Sequence, residues 1–233
     1  MLFKFLHSDC PAFFQQLAEI DLSISADTEK HSFIASLEGK KIFSLRLPLF
    51  YPTLIEKEKL WQYLERVSLQ ETQDKWTVLL MEAGRAAIGI SQDGRVIKHK
   101  NIRKYMVRKK NGKAQLTHLK SKGKSRYGSR LRLREAEAFF DEIIERLQSD
   151  EHQASSHIFY NCPVRLKSCL DEAGRELGFN EANFTWRRLG VNVKEASFDE
   201  LKRHALEPYY CRLTLEDENF RDRLPPIPEY KKY

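Results

Sequence analysis

Apolar positions along the chain follow two rhythms, and the change from one to the other marks the predicted elements. Ser32–Leu37 and Lys41–Leu49 read as two strands, and Glu38-Gly39-Lys40 between them predicts a hairpin turn. From Pro11 to Ile20 the spacing is helical, with Phe13, Phe14 and Leu17 on one side. A second helix is expected over Leu54–Leu69, burying Leu60, Trp61, Leu64 and Val67. Trp76–Ile90 then predicts an apolar strand pair turning near Gly84, and Asp93-Gly94 predicts the next turn. Val96–Val107 reads as a further strand or pair of strands.

Residues 109–128 carry three glycines, many lysines and no helical period, which predicts a long exposed loop. Ser129 is a fair N-cap for a helix running to Leu147, with Ala136, Phe139, Phe140, Ile143, Ile144 and Leu147 as its apolar face. Ser156–Tyr160 reads as a strand, Pro163 opens a helix ending near Gly178, and Leu189–Val193 is a further strand. Ser197-Phe198-Asp199-Glu200 has capping-box spacing and starts a helix through about Leu206, before a strand at Tyr210–Leu215. This alternation predicts an α/β fold, a mixed β-sheet with packed helices, plus a small N-terminal α+β subdomain. The expected division is 1–70 for that subdomain, 71–218 for the main domain with its basic loop at 109–128, and 219–233 for an extended tail.

Charge changes the picture. The net formal charge is +7, yet Arg95–Arg134 holds 16 Lys/Arg and no acid, leaving 24 basic against 33 acidic residues elsewhere. A solvated face accounts for a run of five or six cations. Here the run spans 40 residues and alternates with Tyr105, Val107, Leu116, Tyr127 and Leu131. Gathering so many like charges is costly without a polyanion to face, and a phosphate backbone is the usual one. The four cysteines, Cys10, Cys162, Cys169 and Cys211, form no C-x-x-C pair and have no histidine at zinc-finger spacing, so they read as reduced thiols. No metal and no cofactor is expected. The opening MLFKFLHSDCPAFF is too short and interrupted in its apolar stretch to read as a secretory signal, and no apolar run reaches bilayer length. The expected compartment is the cytoplasm, with no membrane partner.

The most specific text is His99-Lys100, four residues, then Tyr105-Met106-Val107-Arg108-Lys109-Lys110-Asn111-Gly112-Lys113-Ala114-Gln115. It resembles the Vms-one-like release factor family, the peptidyl-tRNA hydrolases of ribosome quality control, which are related to the middle domain of the eukaryotic class-one release factor. Gly128, Leu131 and Arg132 resemble the Gly-x-x-Leu-Arg that opens the family's long helix, and Ser197–Leu201 resembles its late helix start. The similarity covers roughly residues 76–212. One departure is the single glycine and intervening Lys113 where release factors proper carry Gly-Gly-Gln.

The resemblance implies a release-factor middle-domain-like fold and action on peptidyl-tRNA, at its CCA end and acceptor stem, on the large ribosomal subunit. Gln115 is then the central candidate. Its amide does not titrate, so it cannot be a general base, but it can orient a water or ribose hydroxyl against the ester carbonyl. Gly112 would let the backbone approach closely, and Ala114 adds no bulk beside the glutamine. His118 raises a second chemistry, assistance to a 2′-hydroxyl attacking the phosphodiester near CCA, beside the simpler reading of a surface histidine. His99, on a predicted strand, reads as a packing residue.

Lys100, Arg108, Lys109, Lys110 and Lys113 precede the glutamine, while Lys120, Lys122, Lys124, Arg126, Arg130, Arg132 and Arg134 follow it. These cations would neutralise tRNA and ribosomal RNA phosphates without reading bases. The competing expectation is a non-catalytic ribosome- or tRNA-binding rescue or hibernation factor. Both explain the charge, but only a release enzyme explains Gly112-x-Ala114-Gln115.

Overall fold

The computed structural model describes residues 1–69, 75–106 and 127–228, with the backbone alone at 127–130 and 132. The chain forms two compact units, Met1–Thr72 with Glu207–Tyr233, and Gln73–Leu206. Its regular elements begin with β1 (Leu2–Leu6), α1 (Cys10–Ala18), β2 (Ser23–Asp27), β3 (Ser32–Leu37), β4 (Lys40–Arg46) and α2 (Leu60–Ser68). They continue with β5 (Lys75–Glu82), β6 (Arg85–Gln92), β7 (Arg95–Arg103), α3 (Tyr127–Leu147) and α4 (Asp150–Gln153). The remainder are β8 (His157–Asn161), α5 (Val164–Glu176), β9 (Thr185–Arg188), α6 (Phe198–His204) and β10 (Tyr210–Leu215).

The first unit is a five-stranded sheet in the order β1-β10-β4-β3-β2, with every pairing antiparallel. The β3–β4 turn places Glu38 at φ 50° and Gly39 at φ 79°, the left-handed pair of a tight hairpin. Phe13, Phe14 and Leu17 of α1 are buried as their spacing requires. Trp61 is not: it is 54% exposed, and Tyr63 is fully buried instead, its ring 5.5 Å from Phe33. The helix starts at Leu60 rather than Leu54, and its buried residues are Leu60 and Tyr63. Glu58 precedes it and accepts two 2.7 Å bonds from the Arg66 guanidinium.

Tyr210–Leu215 is a strand as expected, but it lies between β1 and β4 in the first sheet. Phe5 faces Cys211 and Leu213 faces Leu45 across it. Residues 207–218 therefore belong with the N-terminal unit, not with the domain expected over 71–218. The expected extended tail from 219 is in part 3₁₀-helical, at Glu218–Arg223.

The second unit is a mixed sheet in the order β7-β6-β5-β8-β9. The meander β5–β6–β7 is antiparallel, while β8 runs parallel to β5 and β9 parallel to β8. Central strands covered on both faces read as unbroken apolar runs, and positions 76–81 of β5 and 86–91 of β6 are buried without interruption. On one face Leu79, Met81, Ile88 and Ile158 pack with Phe139, Ile143 and Leu147 of α3 and Leu166 and Leu170 of α5. The α5 helix ends on Gly178 at φ 68°, where the Phe179 amide donates to the Gly174 carbonyl at 2.8 Å.

Two expectations shift in register. Helix α3 begins at Tyr127, so Ser129 lies within its first turn rather than capping it, and the last two positions of the expected loop are helical. The strand expected at Leu189–Val193 forms instead at Thr185–Arg188, alongside β8. Among the described residues no helix is long and apolar enough to cross a membrane.

Candidate functional site

Strand β7 is the edge of the second sheet and carries the first cations of the basic block. Its register on β6 sets Ile102 opposite Ala86, Lys100 opposite Ile88 and His99 opposite Gly89. Alternation sends Ile102 into the core while neighbouring side chains stay exposed. Lys98 is ion-paired to Glu151, which Arg146 also reaches at 3.4 Å.

On the opposite face β7 meets α6. The His99 ring lies parallel to Phe198, with centroids 3.8 Å apart at 13°. The helix starts there because the Ser197 side chain accepts a hydrogen bond from the Glu200 amide. The capping box is not reciprocal, since Glu200 Oε2 accepts from the Lys194 amide at 3.3 Å. Gly89 lets the helix lie close: a Cβ there would sit 3.2 Å from Leu201 Cδ1 and 3.0 Å from the Lys98 carbonyl oxygen. His99 thus has the packing role its strand position predicts, though its side chain stays largely open to solvent.

Past Arg103 the chain is held at several points. The Lys104 amide donates to the Gly84 carbonyl at 3.0 Å, and Lys104 Nζ is 3.0 Å from Glu142 of α3. That carboxylate lifts the Lys104 pKa through its hydrogen bond and its charge. Glu195 lies 2.7 Å from Arg85 and 3.8 Å from Arg103, tying the β5–β6 turn, the end of β7 and the segment before α6 together. Met106 is buried in the same core as Ile102 and Phe139. Two strands, one helix and one loop therefore hold residues 103–106 in place.

A buried polar group stands elsewhere on the sheet. Thr77 Oγ1 lies 2.8 Å from His152 Nδ1 and 2.9 Å from Ser155 Oγ, and the Ser155 hydroxyl donates to the His152 carbonyl. Burial, followed by the Arg146 charge, pulls the His152 pKa down to about 4. These contacts fasten α4 to β5 and are structural.

Of the residues predicted to act, Gly112, Ala114, Gln115 and His118 lie outside the described residues. So do Arg108, Lys109, Lys110, Lys113, Lys120, Lys122, Lys124 and Arg126. Arg130 and Arg132 stand on the first turns of α3, and Arg134 on the same helix is exposed, as is Lys100 on β7. Sequence reasoning missed Glu142 and Glu195 as counter-ions and Gly84 as the clamp on Lys104. The glycine had a local signal, a turn between two apolar runs. Glu195 had none, because it lies far along the chain from Arg85 and Arg103.

No curated protein sequence matches the chain. Among solved structures, the chain is similar to one described as the Vms1 mitochondrial localization core, at 12% identity and a TM-score of 0.43, covering 92% of each chain. Pelota of Archaeoglobus fulgidus also matches, at 12% identity and a TM-score of 0.34, over 88% of this chain and 62% of that one. The family described as Bacteroidetes VLRF1 release factor matches over residues 76–215, from the first strand of the second sheet through β10. That span is more than half of the sequence and includes the whole basic block, and the chain belongs to the Bacteroidetes VLRF1 release factor family.

Proposed function

We propose that this protein is a ribosome-associated peptidyl-tRNA hydrolase that frees stalled nascent chains on the large subunit, in the cytoplasm, with Gln115 at the reacting ester. The observation that carries this reading is the position of Gly112-Lys113-Ala114-Gln115 inside the family match at 76–215. Supporting it, the stretch with this motif springs from a fixed root, where Gly84, Glu142 and Glu195 hold the residues just before it. A fixed starting point suits the delivery of one amide to one bond.

In this mechanism the Gln115 side chain orients a water, or the terminal ribose hydroxyl, against the ester carbonyl, and backbone N–H groups stabilise the oxyanion. Lys109, Lys110, Lys113, Lys120, Lys122, Lys124, Arg126, Arg130, Arg132 and Arg134 hold acceptor-stem and ribosomal RNA phosphates. Cleavage near CCA, assisted by His118, is the second chemical route, and the same assay separates the two.

Dissociated large subunits carrying labelled peptidyl-tRNA are mixed with the protein, and the product is sized. Ester hydrolysis yields peptide alone, whereas phosphodiester cleavage yields peptide bearing a CCA fragment. Gln115→Ala is expected to slow release by roughly 10²–10³, the cost typical of losing one positioned donor, while subunit binding stays intact. Full release by the variant removes Gln115 from the mechanism. No release by the unsubstituted protein, with subunit binding retained, favours the non-catalytic rescue factor.

A further inference from the structure

Between two anchored residues at the end of β7, one aromatic ring points outward. Met106 is 1% exposed and Ile102 1%, but Tyr105 is 56% exposed. The reason is a turn of three residues. The Met106 amide donates to the Lys104 carbonyl at 3.1 Å, so Tyr105 is the apex of a γ-turn. Its φ lies outside the left-handed region, which makes this the unstrained, inverse form. The turn is locked before the ring by the Lys104–Gly84 hydrogen bond and the Lys104–Glu142 ion pair, and after it by burial of Met106.

An aromatic side chain held outward by a rigid backbone loses little further freedom when something stacks on it. The surroundings say what that something is. Its exposed neighbours along β7 are Arg103, Asn101 and Lys100, cationic or polar, with Arg103 sharing the Glu195 carboxylate at 3.8 Å. A protein hot spot needs a closely packed surround that excludes water. A nucleobase needs only a flat face, with cations nearby for its phosphate. The ring also stands at the root of the stretch that bears Gln115.

Resting on the release reading above, we infer that Tyr105 is a stacking platform for an unpaired base at the 3′ end of the tRNA. Stacking on a tyrosine face is tolerant of base identity, and the phenol hydroxyl is not required for it. Tyr105 is accordingly a binding residue that holds the single-stranded end while Gln115 meets the ester.

The test uses the full chain and two short RNA duplexes, one blunt and one with a 3′-CCA overhang whose terminal adenine is 2-aminopurine. Tyr105→Ala is expected to weaken binding of the overhang RNA about ten-fold or more, as loss of one stacked base does. It should leave the blunt duplex unaffected and abolish the change in 2-aminopurine fluorescence, while Tyr105→Phe should retain both. Equal binding of the overhang RNA by Tyr105→Ala and the unsubstituted protein overturns the inference and leaves the release reading standing. So does Phe behaving like Ala, or loss of large-subunit binding with overhang binding unchanged, which would put the ring against ribosomal protein. An unsubstituted protein that binds neither RNA overturns the inference too, and the large-subunit release assay then decides the release reading separately.

Discussion

Gly84 and Lys104 touch backbone to backbone: the Lys104 amide donates to the Gly84 carbonyl at 3.0 Å, and a Cβ on Gly84 would stand 2.6 Å from the Lys104 carbonyl oxygen. Gly84 also has φ 78°. Two separate constraints therefore demand glycine here, and they carry different predictions. Alanine meets both the left-handed penalty and the clash, at a combined cost on the order of 2–3 kcal/mol. Asparagine tolerates the backbone conformation but still carries the offending Cβ. Gly178, at φ 68° with no atom within 4 Å of the same position, feels only the first constraint. Urea unfolding should show Gly84→Asn nearly as destabilised as Gly84→Ala, and Gly178→Asn close to the unsubstituted protein. Recovery by asparagine at position 84 would mean that the contact with Lys104 gives way freely.

The His99–Phe198 stack joins the edge strand to α6 across 3.8 Å. Such a pair is worth about 0.5–1.5 kcal/mol beyond its buried area. A double-mutant cycle with His99→Ala and Phe198→Ala should return a coupling energy in that range. Additive single effects would mean that the rings merely lie near one another.

Acid should loosen the second unit through His152. The unfolded imidazole takes up a proton near pH 6.5, while the buried one waits until about pH 4. Between those values the unfolded chain holds more protons, so stability rises with pH and is lost as pH falls through this window. Over the full window the loss from His152 is about 3 kcal/mol. His157, also drawn to about 4 by burial and then by Arg187, adds to the same slope. Chemical denaturation at several pH values should show a flatter curve for His152→Gln than for the unsubstituted protein. Parallel curves would show that the imidazole titrates alike in both states.

Removing three lysines at once tests the electrostatic part of the proposed function. If Lys120, Lys122 and Lys124 each meet a phosphate, replacing all three with glutamine should lower the slope of log K against log salt by about 2–3. RNA binding measured across a salt series reads that slope directly. An unchanged slope would take these three residues off the contact surface.

Local pattern was enough for the elements that local forces build. The Glu38-Gly39 and Asp93-Gly94 turns, the Ala136–Leu147 helix face and the apolar β5–β6 pair were all readable, because each depends on residues a few positions apart. So was the family, from the continuous motif His99–Gln115 and the matches on both sides of it. Trp61 was misplaced because helical spacing alone does not say which stretch turns its side toward the core. The strand at Thr185–Arg188 was set four residues too late, because its partner β8 was not yet known.

What the amino-acid order determined was the set of pieces and the family to which the chain belongs. Only the folded chain assigned the partners. It sent β10 back between β1 and β4, brought Glu195 to Arg85 and Arg103, set His99 on Phe198 and raised Tyr105 on a γ-turn beside Gly84. The reason is physical. Turn conformation and helix periodicity are governed by neighbours in sequence, whereas sheet order and ion pairing are governed by which distant surfaces bury the most apolar area together.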